Sequence, residues 1–80
     1  MQFTELIAMR IKDLLKQRKW TRYKLATRAA IPCSTLYYTL AAGGDSIKTS
    51  TLINICRGFD ITIGDFFNDP MFDLENIADN

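Results

Sequence analysis

Residues 21–40, TRYKLATRAAIPCSTLYYTL, leave this chain few ways to fold. Ile31-Pro32 divides the segment. A residue before proline is pushed out of the helical region, whereas proline itself suits the start of a new helix. On the N-terminal side, Thr21 offers a side-chain oxygen to the free amides of a helix start. Leu25, Ala26 and Ala29 then recur at helical spacing and make one apolar face. On the C-terminal side a second helix is expected over residues 33–41, with Leu36 and Leu40 pointing inward. Two helices of about eight residues cannot bury enough surface alone, so both must belong to a small helical domain. A pair of helices at a tight turn, the second small and polar, is the arrangement that fits a DNA major groove.

The remaining composition narrows the choice. The chain has 80 residues, enough for one domain that buries about 60–65% of its unfolded surface. That leaves no room for a catalytic cavity beside a core. No apolar run approaches the roughly 20 residues needed to span a bilayer, and the N-terminus carries no secretory pattern. Cys33 and Cys56 are the only cysteines and histidine is absent. A reduced pair in the cytoplasm is therefore expected, and no zinc site or other cofactor. There is no phosphate-binding glycine loop and no nucleophile with an evident base partner, so no enzyme is expected. Net charge is +1, but unevenly spread. All ten Lys and Arg lie in residues 1–68, against Glu5, Asp13, Asp45, Asp60 and Asp65; residues 69–80 hold Asp69, Asp73, Glu75, Asp79 and no base. A basic body suits a polyanion, and an acidic tail repels one or folds over the basic surface.

Apolar spacing predicts three further helices. The first starts at Phe3 or Glu5 and runs to Arg18, buried through Phe3, Leu6, Ile7, Ile11, Leu14 and Leu15. Arg10, Lys12, Lys16, Arg18 and Lys19 make its other faces basic, and Trp20 packs in the connection that follows. Residues 42–46, Ala-Gly-Gly-Asp-Ser, read as a loop, with Ile47 anchoring it. The fourth helix is expected over about residues 50–58, closing at Gly58 or at Phe59-Asp60, and buried through Leu52, Ile55 and Cys56. The fifth begins at Thr62, where Thr62 and Asp65 form a shortened capping box, and Pro70 ends it. Residues 71–77 allow one or two amphipathic turns or a mobile tail. The expected organisation is a helix-turn-helix domain at 1–68 with an acidic tail at 69–80.

Two segments carry a family resemblance. One is Arg10-Ile11-Lys12-Asp13-Leu14-Leu15 through Trp20-Thr21-Arg22-Tyr23-Lys24-Leu25-Ala26, Ile31 and Ser34-Thr35-Leu36. The other is Thr51-Leu52-Ile53-Asn54-Ile55-Cys56-Arg57-Gly58-Phe59-Asp60-Ile61-Thr62-Ile63-Gly64-Asp65-Phe66-Phe67. With both, residues 8–68 resemble the XRE family of helix-turn-helix regulators, the group of phage Cro proteins and repressors. The resemblance implies an all-α, five-helix, phage-repressor-like domain that binds double-stranded DNA and regulates transcription, as a repressor, with residues 33–41 in the major groove. Three departures stand out. Arg22 replaces a common glutamine that touches phosphate or base; arginine keeps the phosphate role and adds charge. Ala30 replaces a common glycine, at a cost of roughly 1 kcal/mol if its φ is positive. Leu15 and Leu40 stand where relatives pair an arginine with a glutamate, so an apolar contact is expected there.

The DNA-contacting set that follows is Thr21, Arg22, Cys33, Ser34, Thr35, Tyr37, Tyr38 and Lys48. Residues 33–41 hold no Arg, Lys, Asn or Gln, the side chains that read guanine or adenine bidentately. Modest base discrimination is expected, with much of the affinity from phosphates. Lys24 and Arg28 divide evenly between phosphate contact and ordinary surface charge; Lys12, Lys16, Arg18, Lys19 and Arg57 read as solvated. A homodimer on a two-fold site is expected, paired through surplus apolar groups among Phe66, Phe67, Met71, Phe72, Leu74 and Ile77. The competing reading is a protein-interaction module of the same fold, antitoxin-like or anti-repressor, that binds no operator. No small-molecule ligand is evident.

Overall fold

The computed structural model describes residues 1–41 and 47–78. Five α-helices follow in order: α1 (Phe3–Arg18), α2 (Arg22–Ala29), α3 (Cys33–Leu40), α4 (Thr49–Phe59) and α5 (Ile63–Phe67), then two 3-10 turns, Pro70–Phe72 and Leu74–Asn76. There is no strand among the described residues, so the all-α, five-helix expectation holds. The expected loop 42–46 lies outside the described residues.

Apolar spacing becomes one core. Ile7, Ile11, Leu25, Leu36, Ile55, Phe59 and Phe66 are its largest fully buried side chains, drawn from all five helices. Leu15 and Leu40 are both buried in the same cluster, so the ion pair of relatives gives way to apolar packing and no charge is desolvated. α2 packs closely on α4 because Gly58 has no side chain: a Cβ there would stand 3.0 Å from the Ala29 amide nitrogen. Arg28 Nε donates to the Gly58 carbonyl at 2.7 Å across the same crossing.

Three helices end in one way. Lys19, Ala30 and Asp60 close α1, α2 and α4 with φ of 57°, 56° and 59°. The next residue, Trp20, Ile31 or Ile61, donates its amide back to the Leu15, Ala26 or Cys56 carbonyl at 3.0–3.1 Å and packs against the core. This is the Schellman pattern with its apolar partner, built without glycine. At the starts, Thr21 Oγ1 accepts from the Lys24 amide at 3.1 Å. Thr62 and Asp65 make the reciprocal box: the Asp65 amide reaches Thr62 Oγ1 at 2.9 Å and the Thr62 amide reaches Asp65 Oδ2 at 3.2 Å.

Several expectations need correction. The second helix of the pair stops at Leu40 rather than residue 41, because Ala41 turns extended (φ −67°, ψ 130°). α4 starts one residue earlier, at Thr49, and of the two closures expected it takes the one at Phe59-Asp60; Gly58 serves the α2 crossing. Arg10, expected to make an outer face of α1 basic, is instead bonded to α5. Its Nε donates to the Phe66 carbonyl at 2.7 Å, a terminal nitrogen donates to the Asp65 carbonyl at 2.9 Å, and it pairs with Asp69 at 3.6 Å. Those carbonyls end α5, where a cation is favoured. Residues after Asn68 fold back on α1: Phe72 meets Phe3 edge-on at 6.0 Å, and the Met1 nitrogen donates to the Asn76 carbonyl at 3.2 Å. Phe66 is buried, and Phe67, Met71, Phe72 and Ile77 are half-buried, which leaves Leu74, 85% exposed, as the surplus.

Candidate nucleic-acid interface

α2 and α3 are set by the Ala30-Ile31-Pro32 turn. Ala30 takes the left-handed conformation that ends α2, and Pro32, at φ −61° and ψ 144°, is the extended residue that opens α3. Pro32 has no side-chain acceptor, so no cap covers the first amides of α3. Leu36 and Leu40 anchor α3 in the core, which turns Cys33, Ser34, Tyr37 and Tyr38 to solvent. Tyr37 and Tyr38 are 56% and 61% exposed. Thr35 is half-buried, and its carbonyl accepts from Thr39 Oγ1 at 2.9 Å. An α-helix with its side chains is about 10–12 Å across, which fits the major-groove width of roughly 12 Å.

Two cations bracket this uncharged helix. On the α2 side, the Arg22 guanidinium lies 5.3 Å from the centre of the Tyr37 ring, a cation–π distance that holds it over α3. On the other side is a cleft of about 530 Å³ between α3 and the start of α4. Ser34, Thr35 and Tyr38 line it from α3, and Lys48, Ser50 and Thr51 from α4. Lys48 is the extended residue before α4 and supplies no capping oxygen, so the first amides of α4 stay uncapped at the positive end of the helix dipole. Ring, hydroxyls and ammonium form one polar, positively charged surface.

A profile of the Cro/C1-type helix-turn-helix DNA-binding domain matches residues 10–70. The chain belongs to that family. No curated protein and no solved structure gives a significant match. As a Cro/C1-type domain the chain binds double-stranded DNA in transcription regulation. No helix among the described residues is long and apolar enough to cross a membrane.

In this Cro/C1-type domain the structure brings seven of the eight candidate residues around α3. Arg22, Cys33, Ser34, Thr35, Tyr37, Tyr38 and Lys48 lie on α3 or on the two surfaces beside it. Thr21 is exposed just before α2, with its hydroxyl engaged as the helix cap. Of the evenly divided pair, Arg28 is turned to the Gly58 carbonyl, and Lys24 lies over Trp20 at 4.9 Å. Arg18, read from sequence as solvated, also lies over Trp20, at 5.1 Å. A lone tryptophan beside Arg18, Lys19, Arg22 and Lys24 was the available signal for this cluster.

Proposed function

We propose that this domain is a sequence-specific transcriptional regulator, a cytoplasmic repressor, that occupies its operator with α3 in the major groove. The observation that carries the reading is the bracket of Arg22 and Lys48 around an uncharged α3. Cations on both sides of a groove-width helix suit the two phosphate strands that border the groove. Cys33, Ser34, Tyr37 and Tyr38 then face base edges, with Thr35 behind them offering its methyl to thymine. Thr21 and Arg22 take phosphate on one strand, and Lys48 with the α4 amides takes phosphate on the other.

The active form in this reading is a homodimer. One α3 without bidentate readers gives a small footprint, and two copies about 34 Å apart on a two-fold site supply the missing affinity. Phe3, Ile63 and Leu74 remain exposed at the end of the molecule formed by the start of α1, α5 and the 3-10 turns, and they offer a pairing surface.

Selection of bound duplexes from a random DNA pool at two salt concentrations tests the proposal. The expected product is a two-fold symmetric consensus whose affinity falls steeply with salt. No enriched sequence at either salt, together with salt-insensitive capture of a protein, establishes the interaction-module reading in its place.

A further inference from the structure

The strongest charge feature outside the α3 surface surrounds Trp20. Its ring stacks on Phe59, with centroids 5.7 Å apart and planes within 10°. Arg18, Lys24 and Arg28 place their charged ends 5.1, 4.9 and 4.8 Å from the same ring centre. No carboxylate pairs with them: the ion pair found among the described residues is Arg10–Asp69, so even Asp60, next to Phe59 in sequence, pairs with none of the three. The C-terminal ends of α1, α2 and α4 each bring only about half a negative charge, which leaves roughly one positive charge or more without compensation. At the other end of α1 the sign reverses. Asp73 and Glu75 are exposed there and make no ion pair among the described residues. Both are fixed in place: the Met1 nitrogen donates to the Asn76 carbonyl at 3.2 Å rather than to either acid, and the Ala78 amide donates to the Met1 carbonyl at 2.6 Å. Within one chain, α1 therefore holds these acids about 24 Å away from the cations.

We propose that the Trp20 cluster docks a second copy of this chain head to tail, with Arg18, Lys24 and Arg28 of one copy against Asp73 and Glu75 of the next. The two surfaces are opposite in charge, and one chain cannot bring its own pair together. The cations are preorganised, because their stems lie along the ring and an incoming acid need not first immobilise them. A net charge of +1 sets little general repulsion between copies. The contact differs from the two-fold pairing proposed above. It joins unlike surfaces, so it does not close on itself and extends from copy to copy. Successive residues of a 3-10 turn point about 120° apart, so Asp73 and Glu75 lie to either side of Leu74 and leave the apolar face to the two-fold pair. The cluster is also clear of the α3 surface. At about 100° per residue, Lys24 and Arg28 lie roughly 200° and 240° around α2 from Arg22. The contact is thus open with or without DNA on α3 and does not depend on the DNA-binding reading. Exposed ion pairs are individually weak, so the contact is weak between free copies and gains where copies are held side by side.

The test uses the full chain without DNA, at high concentration, in about 0.01 M salt, where charges act over roughly 30 Å, and in about 1 M salt, where they act over about 3 Å. Sedimentation is expected to show a mean mass that grows with concentration in low salt, and high salt should abolish that growth. In a mixture of chains of two isotopic compositions, carbodiimide should join Lys24 of one copy to Asp73 or Glu75 of another, read by mass spectrometry as hybrid cross-links. The Asp73→Asn, Glu75→Gln variant and the Arg18→Gln, Lys24→Gln variant should each weaken the association about tenfold. Mixed in equal amounts they should regain it, because the intact acids of one meet the intact cations of the other, and only a contact between unlike surfaces behaves so. The acid variant alters no buried group, so it keeps the test decisive even where Arg18→Gln lowers stability. Growth that ignores salt, growth unchanged in the acid variant, or a mixture of the folded variants no more associated than its parts overturns the head-to-tail contact and leaves the DNA-binding reading untouched. Trp20 is the sole tryptophan, so its fluorescence reports on the cluster directly. Quenching by poly-glutamate in a chain without salt-dependent growth assigns the cluster to an acidic partner other than this chain and likewise overturns the proposal.

Discussion

Arg22 stands at the first position of α2 with its guanidinium over the Tyr37 ring. In the reading proposed above, this cation, without a carboxylate partner among the described residues, contacts phosphate and not a base. Replacing Arg22 with Ala should weaken specific and non-specific DNA binding alike and lower the log–log salt slope by about 1, read by titration at several salt concentrations. A slope left unchanged, with preference relaxed at one base pair, makes Arg22 a reader instead. The two cysteines separate by environment. Cys33 is exposed and Cys56 is buried, and burial pushes the Cys56 thiol up from its ordinary range. A group with a raised folded-state pKa contributes stability below its unfolded value, and that contribution is lost as pH rises through the folded value. The folded chain should therefore take one alkyl group per molecule in mildly alkaline solution, on Cys33, and two only after denaturation. Mass spectrometry distinguishes the outcomes. The candidate residues on α3 were legible in the sequence because core and solvent positions alternate there with a helical period. The fates of Arg10 and Arg28 were not: both end on backbone carbonyls of distant elements, and no local pattern shows where a long side chain lands.

The elements follow their apolar periods closely, and the differences lie at their ends. α1, α2 and α4 each close on a left-handed residue that is not glycine, followed by an apolar residue that covers the last turn. Lys19-Trp20, Ala30-Ile31 and Asp60-Ile61 carry this signal in sequence, but a reader who looks for glycine finds it only by analogy at Ala30. The strain at Ala30 is measurable: Ala30→Gly removes a Cβ from a left-handed position and should stabilise the domain by about 1 kcal/mol. For a domain of this size that raises the thermal midpoint by roughly 4–8 °C. Gly58 has the opposite requirement. In Gly58→Ala the new Cβ meets the Ala29 backbone at 3.0 Å, and backbone cannot give way as a side chain can. The expected loss is about 1–3 kcal/mol, seen as a lower denaturant midpoint with an unchanged slope. The sequence left α4 closing at Gly58 or at Phe59-Asp60, because the α2–α4 crossing that Gly58 permits is a tertiary contact with no local signal.

At the scale of the molecule, α1 is a rod about 24 Å long with opposite charge at its two ends. Beside its start lie the exposed Asp73 and Glu75, and beside its middle Asp69, paired with Arg10; beyond its end lies the cation cluster on Trp20. The charge division was plain in the sequence, but the place of residues 69–78 was not, since Arg10, which ties them down, sits 59 residues before Asp69. Arg10→Met keeps the stem and removes the charged hydrogen bonds to α5. With a side chain only 11% exposed, it should cost about 1.5–3 kcal/mol. Hydrogen exchange should show the amides of α5 and the 3-10 turns losing protection before those of α2 and α4. Uniform loss across all helices, or none, contradicts the role assigned to Arg10 as the local fastening of that end.

On α3, Leu36 and Leu40 hold the helix in the core, whereas Cys33, Ser34 and Tyr38 touch solvent and carry no part of it. In the proposed reading, folding and base contact are thus written in different letters of the same eight-residue word. On that proposal, new side chains grafted at 33, 34 and 38 should retarget the domain while the scaffold beneath stays as it is, and Tyr37 is the one outward position whose exchange also unseats a neighbour, Arg22.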